Sequence, residues 1–537
     1  MSSNHSADYD VIAVGAGFAG ISLSYHLREA GFNVKVFDRA NDVGGTWAWN
    51  KYPGAATDSE SYYYCFSFSK EVMQEWSWSK RYSGWEETQN YLKFVMDKFS
   101  LWPMFQLSTE VESAEFDNET GLWNVRTQGG ETHTAKYFIS AMGMISQPVL
   151  PNIPGQDRFA GPIFHSSRWP EGLDVAGKRV GIIGAGATTV QMLPEVAKTA
   201  AQVTVFQRTP NFVLPAMQKD MTPEWEKEIK DNYDEIIAKA RNHMFGMAFE
   251  QPPGRNAVDT PPEEVQRIFE EHRNGSFRWV FETFDDLLGS AEANQMASDF
   301  ITSKIKEKVD DPELAELLTP KGYPLFAKRP PLDHGYYETF NRDNVTLVDL
   351  RQGGIEEITE AGVQTAQGHY AFDVLVYATG FDAMTGALGK IDIRGRDNTA
   401  LTEYWEAGPR TYLGLQVVGF PNLFTVTGPG SPSVLSNMIV SIEQHIDWIA
   451  QCISDLDERG VQSIEATPAA EEEWIAHVNE VAQNTMFTAM SCNSWYLGAN
   501  IPGKPRIFMP YVGGVGVYRE KCDEVARNGY AGFELRA

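Results

Sequence analysis

Two glycine-rich turns hold the residue types and spacing best suited to chemistry in this chain, and the chemistry they suit is phosphate binding. In the first, Gly15-Ala16-Gly17-Phe18-Ala19-Gly20 follows an apolar run from Tyr9 and opens a stretch that closes on Val34-Lys35-Val36-Phe37-Asp38. Gly15 permits a tight turn, Gly17 lets backbone N–H groups reach a pyrophosphate, and Gly20 lets the following helix pack closely on its sheet. Asp38 stands 18 residues past Gly20, where a carboxylate can accept the ribose hydroxyls of an adenosine. Such a turn alone is weak evidence. Strand, turn, helix and terminal acid together predict a dinucleotide site.

The same unit recurs. Arg179-Val180-Gly181-Ile182-Ile183-Gly184-Ala185-Gly186-Ala187-Thr188-Thr189 echoes the first turn, and Val203-Thr204-Val205-Phe206-Gln207-Arg208 echoes its second strand. An acid at the strand end prefers a free 2′-hydroxyl, whereas an arginine matches a 2′-phosphate in charge and fork geometry. The first site is therefore expected to take FAD and the second NADPH, with Phe18 at the first helix start and Ala187, Thr188 and Gln191 at the second. Thr189 replaces the usual third glycine, and Arg208 could also be a solvated strand end.

These turns must be positioned by parallel sheets, which predicts an α/β fold of two Rossmann-like dinucleotide-binding domains with a helical insertion. The expected division is an FAD domain over 1–150 and 386–537, an NADPH domain over 151–215 and 326–385, and an insertion over 216–325. Within the insertion, Trp225 to His243, Pro262 to Arg273 and Ala291 to Val309 carry apolar residues at helical spacing. Strands are expected at Leu122 to Thr127, Val345 to Val348 and Val374 to Ala378.

At 537 residues, with 42% hydrophobic and 22% charged, the chain suits two or three globular domains. A net charge of −27 disfavours nucleic acid or an anionic membrane as partner. No apolar run approaches the ~18 residues that span a bilayer, and Met1 to Asp8 is too polar for a signal peptide, so a cytoplasmic protein is expected. The four cysteines, Cys65, Cys452, Cys492 and Cys522, form no CxxC pair and are expected to be buried thiols rather than a redox dithiol or a metal site.

Between the two units, Phe159-Ala160-Gly161-Pro162-Ile163-Phe164-His165-Ser166-Ser167-Arg168-Trp169-Pro170 matches the FxGxxxHxxxWP fingerprint of the type I Baeyer–Villiger monooxygenases. The chain resembles that family over essentially its whole length, through Gly44-Gly45-Thr46-Trp47, Tyr52-Pro53-Gly54-Ala55, Lys328-Arg329, Ala378-Thr379-Gly380-Phe381-Asp382 and Ser494-Trp495-Tyr496-Leu497-Gly498-Ala499-Asn500. Gly428 to Met438 looks more like the phenylacetone and steroid monooxygenases than the cyclohexanone enzymes. The resemblance implies that NADPH reduces a non-covalent FAD, that O2 adds at flavin C4a, and that the resulting peroxide attacks a ketone, giving an ester or lactone. The protein must then orient the flavin, stabilise an anion and exclude water.

By that resemblance Arg329 is the stabilising cation, and Asp58 holds and tunes it, a turn-capping aspartate being the plainer reading. The family's arginine upstream of the aspartate is here Ala56. Gly45, Thr46, Trp47 and Tyr64 are expected around FAD. Lys328, Arg208 and Thr209 match contacts to the NADPH 2′-phosphate, and Trp495 a contact to the nicotinamide nucleotide. Gly161, His165 and Trp169 form a linker between domains, where His165 couples domain movement rather than acting as a base. Met247, Leu435, Met486 and Phe487 are candidates for the ketone pocket, though such residues also serve as plain core. The expected partner is a small ketone, with sulfide as a side substrate, no metal, and a monomeric or weakly homo-oligomeric state. The rivals are an N- or S-oxygenating flavin monooxygenase and, from another class, a flavin-binding protein without turnover.

Overall fold

The computed structural model describes residues 7–250, 253–483, 485–489, 491 and 493–537, so Met1 to Ser6 and Cys492 lie outside the described residues. The first glycine turn leaves strand Tyr9–Val14, whose residues Val11, Ile12 and Ala13 are all fully buried. A strand buried on both faces needs covering on both sides, which is why apolar residues run through it without alternating. It pairs in parallel with Val34–Phe37 on one edge and Thr132–Ser140 on the other. Leu122–Thr127 and Val111–Asp117 add antiparallel strands, and Asp392–Arg394 and Leu423–Thr425 return from late in the chain to join the same sheet.

The second sheet is wholly parallel, in the order Val345–Asp349, Gln202–Gln207, Arg179–Ile183, Val374–Tyr377, Ile163–His165. The two units match bond for bond. Gly15 N–H donates to Phe37 O at 2.9 Å and Gly184 N–H to Phe206 O at 3.0 Å. A third strand closes each turn: Ala141 N–H donates to Val14 O and Ala378 N–H to Ile183 O, both at 2.9 Å. The repeat thus extends to Ala141-Met142-Gly143 and Ala378-Thr379-Gly380, beyond the turns in which the sequence displays it. These sheets belong to an α/β fold of Rossmann-like units, as expected.

Between strands Leu214–Pro215 and Leu332–Asp333, the chain folds into helices. Prolines open Pro223–Asp231, Pro262–His272 and Pro312–Leu318, where a missing N–H costs nothing. The periodic stretch Trp225 to His243 is two helices rather than one, Pro223–Asp231 and Tyr233–Asn242. Asn232 breaks it with φ −113° and ψ 13°, its side-chain amide donating to Glu228 O at 2.7 Å. Asparagine competes with the helix for backbone partners, a local effect that hydrophobic spacing does not register. Among the described residues no helix is long and apolar enough to cross a membrane. Cys65, Cys452 and Cys522 are buried free thiols, and burial pushes Cys65 up to about 11.

Candidate active site

The first cradle needs its glycines for space. A Cβ on Gly15 would lie 2.3 Å from Ala141 O, and one on Gly20 only 1.9 Å from Gly15 O. Gly17 and Gly45 face each other, a Cβ on Gly45 falling 2.9 Å from Gly17 Cα. Asp38 is buried and bridges the loops: Oδ2 accepts Ala16 N–H at 2.6 Å and Oδ1 accepts Ala40 N–H at 2.7 Å. Burial raises its pKa against those two bonds. Phe18, Trp47 and Tyr64 pack edge to face around the turn, with Phe18–Tyr64 centroids 5.6 Å apart and Trp47–Tyr64 5.9 Å. Thr46 is exposed beside them. Farther along, beside Asp58, Thr57 Oγ1 is buried without a protein partner. A tight glycine cradle, a strand-end acid and an unanswered hydroxyl fit a flavin dinucleotide.

The second cradle is looser. No protein atom comes within 4 Å of where a Cβ on Gly186 would stand, leaving room at the helix start formed by Ala187 and Thr188. Thr189 is tolerated as third residue because its hydroxyl donates into Gly184 O at 2.8 Å. Gln191 turns away to the first unit, accepting from Tyr52 Oη at 2.8 Å and donating to Ala56 O at 3.0 Å. Gly54 allows this junction, since a Cβ there would meet Gln191 O at 2.2 Å. Arg208 is exposed and Thr209 half-buried. Tyr323 links them to Lys328: its hydroxyl donates to Pro210 O at 2.5 Å, and its ring centroid lies 4.9 Å from Lys328 Nζ.

Arg329 follows Lys328 and is held by the first unit's Asp58. Its Nε donates to Asp58 Oδ2 at 2.7 Å and its Nη1 to Val434 O at 2.8 Å, while the guanidinium carbon lies 5.2 Å from the Phe277 ring centroid. Burial works to strip its proton, but Asp58, Tyr496 and Tyr64 outweigh that and raise its pKa. It forms one wall of a cavity otherwise lined by Phe245, Met247, Phe277, Phe281, Phe326, Leu435, Phe487 and Tyr496. Apart from Arg329 and the Tyr496 hydroxyl the walls are apolar. The free room is about 20 Å³, little more than one water.

Of the residues expected in the pocket, Met247, Leu435 and Phe487 line this cavity; Met486 does not. Its backbone N–H donates to Leu288 O at 2.9 Å, and in the tight turn Met486–Thr488 successive side chains diverge, so only Phe487 faces inward. Trp495 lies outside the lining, its ring 4.5 Å from that of Tyr496, which does line it. Sequence reading missed Phe245, Phe277, Phe281, Phe326 and Tyr496. It also missed Asn294, buried on helix Ala291–Lys308, whose amide grips both Leu325 N–H at 2.9 Å and Leu325 O at 3.1 Å. The next residue, Phe326, holds φ +69°, a strained conformation for an aromatic residue just ahead of Lys328-Arg329.

In the segment expected to link the domains, His165 ends strand Ile163–His165 of the second sheet, and Gly161 just before that strand has no left-handed backbone, although a Cβ on it would lie 2.4 Å from Asp373 O. Trp169 packs on Phe164 with centroids 5.3 Å apart. His165 Nδ1 accepts Ser167 N–H at 3.1 Å, leaving Nε2 to donate to Gly380 O at 3.0 Å. Burial pushes this ring down to about 4, against the Gly380 bond and with help from Arg168. It is neutral near pH 7, and both nitrogens are engaged. The unfolded ring takes its proton near 6.5, so between pH 6.5 and 4 the unfolded state binds more protons and His165 costs stability as pH falls. His165→Gln, which cannot titrate, is expected to retain more of its stability over that window than the parent in urea melts. Glu443, pushed up to about 7 by burial, acts in the opposite sense in both proteins and cancels in the comparison. Equal losses in the two would remove His165 as a source of acid sensitivity.

Two glycine cradles of dinucleotide-binding type and an arginine in the wall of an apolar cavity fit a flavin-dependent monooxygenase that uses FAD and NADP, and comparison with known proteins shows that class. Residues 9–249 match the flavin-binding monooxygenase-like family. A Baeyer–Villiger monooxygenase of Pseudooceanicola batsensis is 43% identical over 528 residues, covering 98% of this chain and 96% of that protein. A phenazine N-monooxygenase of Lysobacter antibioticus is 42% identical over 542 residues, covering 100% and 99%. Among solved structures, a steroid monooxygenase bound to NADP is 45% identical with a TM-score of 0.93, over 98% of this chain and 99% of the other. OTEMO in complex with FAD and NADP is 38% identical with a TM-score of 0.94, over 99% and 100%. The chain belongs to the Baeyer–Villiger monooxygenase family.

Proposed function

We propose that the acceptor is a largely apolar ketone, converted by insertion of one oxygen atom of O2 into an ester or lactone. The observation that carries this reading is the cavity itself, aromatic and aliphatic on all sides but one, with Arg329 as the single charged group in its lining. When bound, FAD would supply the redox chemistry, passing electrons from NADPH to O2 so that one oxygen atom of O2 can be inserted and the other leave as water. Arg329 stabilises negative charge that develops at the acceptor, Asp58 fixes the plane of the guanidinium, and the aromatic walls keep water out. Arg208, Thr209 and Lys328 hold the 2′-phosphate of NADPH, and Asp38 the FAD ribose. Gly161, His165 and Trp169 join an FAD domain over 1–150 and 386–537 to an NADPH domain over 151–215 and 326–385, with 216–325 as the insertion. The net charge of −27 weighs against a nucleic-acid partner, and the enzyme is proposed to be cytoplasmic and to work as a monomer or weak homo-oligomer.

A second reading, oxygenation of nitrogen in a planar heteroarene, is favoured by the name of the Lysobacter relative and by the stacked Phe245 and Phe281 rings, 4.0 Å between centroids. The two separate in one experiment. Purified enzyme is given NADPH, ¹⁸O2 and, in parallel, cyclohexanone, phenylacetone, methyl phenyl sulfide and phenazine, and the products are read by mass spectrometry. The proposal expects singly labelled ester or lactone from a ketone. N-oxide from phenazine without any ester would replace it with the second reading, and sulfoxide alone, without ester or N-oxide, would overturn both.

A further inference from the structure

We infer that Glu60 is a positioning residue for the acceptor pocket, holding through Arg278 the aromatic wall that faces Arg329; the inference rests on reading the cavity as that pocket. Glu60 is only 4% exposed, and a buried carboxylate is costly unless cations answer it. Two do. Arg81 Nη2 lies 3.1 Å from Glu60 Oε1, and Arg278 Nε approaches the same oxygen at 4.0 Å. Arg278 is also tied to Glu282 at 2.9 Å and lies over the Phe249 ring at 4.6 Å. Glu60 is the largest of the charges that raise the Arg278 pKa against burial.

What Arg278 carries gives the contact its consequence. Phe277 immediately before it lies against the Arg329 guanidinium, and Phe281 one turn later stacks on Phe245; all three rings line the cavity. The stretch around Glu60 meets the same surroundings at further points, Ala248 being shared by Tyr63 and Arg278. Asp58 grips Arg329, Ser59 Oγ accepts from Asn437 Nδ2 at 2.8 Å, and Tyr63 Oη accepts Ala248 N–H at 2.8 Å, next to Met247. Six consecutive residues, 58–63, therefore tether Arg329, the N-cap of helix Met438–Glu458 and two strips of the insertion's wall. A clasp between surface loops would involve Arg81 alone. Glu60 reaches past it to Arg278–Thr283, the short helix that carries Phe281 and is capped by Phe277.

The test uses the FAD-loaded enzyme with a ketone and a sulfide as alternative acceptors. Glu60→Gln is expected to raise the acceptor KM at least fivefold and divert more NADPH to hydrogen peroxide, with the NADPH KM and the rate of flavin reduction unchanged. Arg278→Met should give the same split, and the double variant should be no worse than either single one. Arg81→Lys, which keeps a cation on Glu60 and touches no cavity wall, should behave as the parent. Without turnover, the rise in melting temperature produced by an unreactive secondary alcohol, 1-phenyl-2-propanol, should shrink in the first two variants only. An unchanged acceptor KM, an equal rise in the NADPH KM, or additive effects in the double variant would overturn the inference. If Glu60→Gln does not retain FAD, Arg278→Met decides by the same criteria. Ester absent from the parent but sulfoxide present would sink the ketone reading, and the sulfide KM would still decide on Glu60.

Discussion

Arg329→Ala is expected to bind FAD and be reduced by NADPH at the parental rate, yet to form ester at least about 100-fold more slowly, with the NADPH electrons released as hydrogen peroxide. Removing one preorganised donor from a developing oxyanion costs roughly 100- to 1000-fold in other enzymes, and Arg329 is the only charged donor in this cavity lining. The fold should survive. Asp58, left behind, is 38% exposed on its side chain and can be hydrated, so the substitution does not strand a charge in the core. Arg329→Lys should recover little, because the guanidinium fork makes two bonds at once, to Asp58 and to Val434 O, that a single ammonium cannot reproduce. Asp58→Asn should fall between, keeping a hydrogen bond but losing the charge that fixes the arginine. The measurement is product formed per NADPH oxidised, beside the rate of flavin bleaching under anaerobic conditions. Normal ester yield in Arg329→Ala would remove this residue from the chemistry.

Local rules made the two cradles legible. A glycine turn needs space, and the space shows as glycine: at Gly15, Gly20 and Gly184 a side chain would run into backbone carbonyls. The strands were legible for a similar reason, since burial on both faces forces an unbroken apolar run. The cavity was harder to read because it is assembled from distant segments. Phe245, the pair Phe277 and Phe281, and Phe326 come from three places in the insertion and its exit, and a phenylalanine looks the same in sequence whether it fills a core or faces a ligand. Met486 and Phe487 show how little separates the two outcomes, one residue in a tight turn. Asn294 and Glu60 left a faint signal, a polar residue on an otherwise buried face, but its meaning depends on partners 31 residues away for Asn294 and on Arg278 in another segment for Glu60. Helix boundaries failed at Asn232 because the break is a local backbone departure, φ −113° and ψ 13°, that hydrophobic spacing does not register.

The double variant Lys328→Ala, Arg208→Ala should lose about 100-fold or more in kcat/KM for NADPH while that for NADH stays within about twofold of the parent. A hydrogen bond to a charged group contributes roughly 1.5–3 kcal/mol, so each cation facing a 2′-phosphate is worth roughly 10- to 100-fold. The geometry makes the two act on one group. Tyr323 bonds to Pro210, just after Arg208-Thr209, and carries Lys328 over its ring, so both cations belong to one neighbourhood at the end of strand Gln202–Gln207. NADH is the internal control. Lys328 adjoins Arg329, and if its loss merely disturbed that neighbour, turnover with NADH and the ester yield per NADH would fall as well. Arg208→Ala alone is the cleaner single variant, because an exposed side chain at a strand end contributes little to packing. A parallel drop for both nucleotides would assign the two cations to the fold or to the shared pyrophosphate, and the second cradle would then owe its preference for NADPH to other residues.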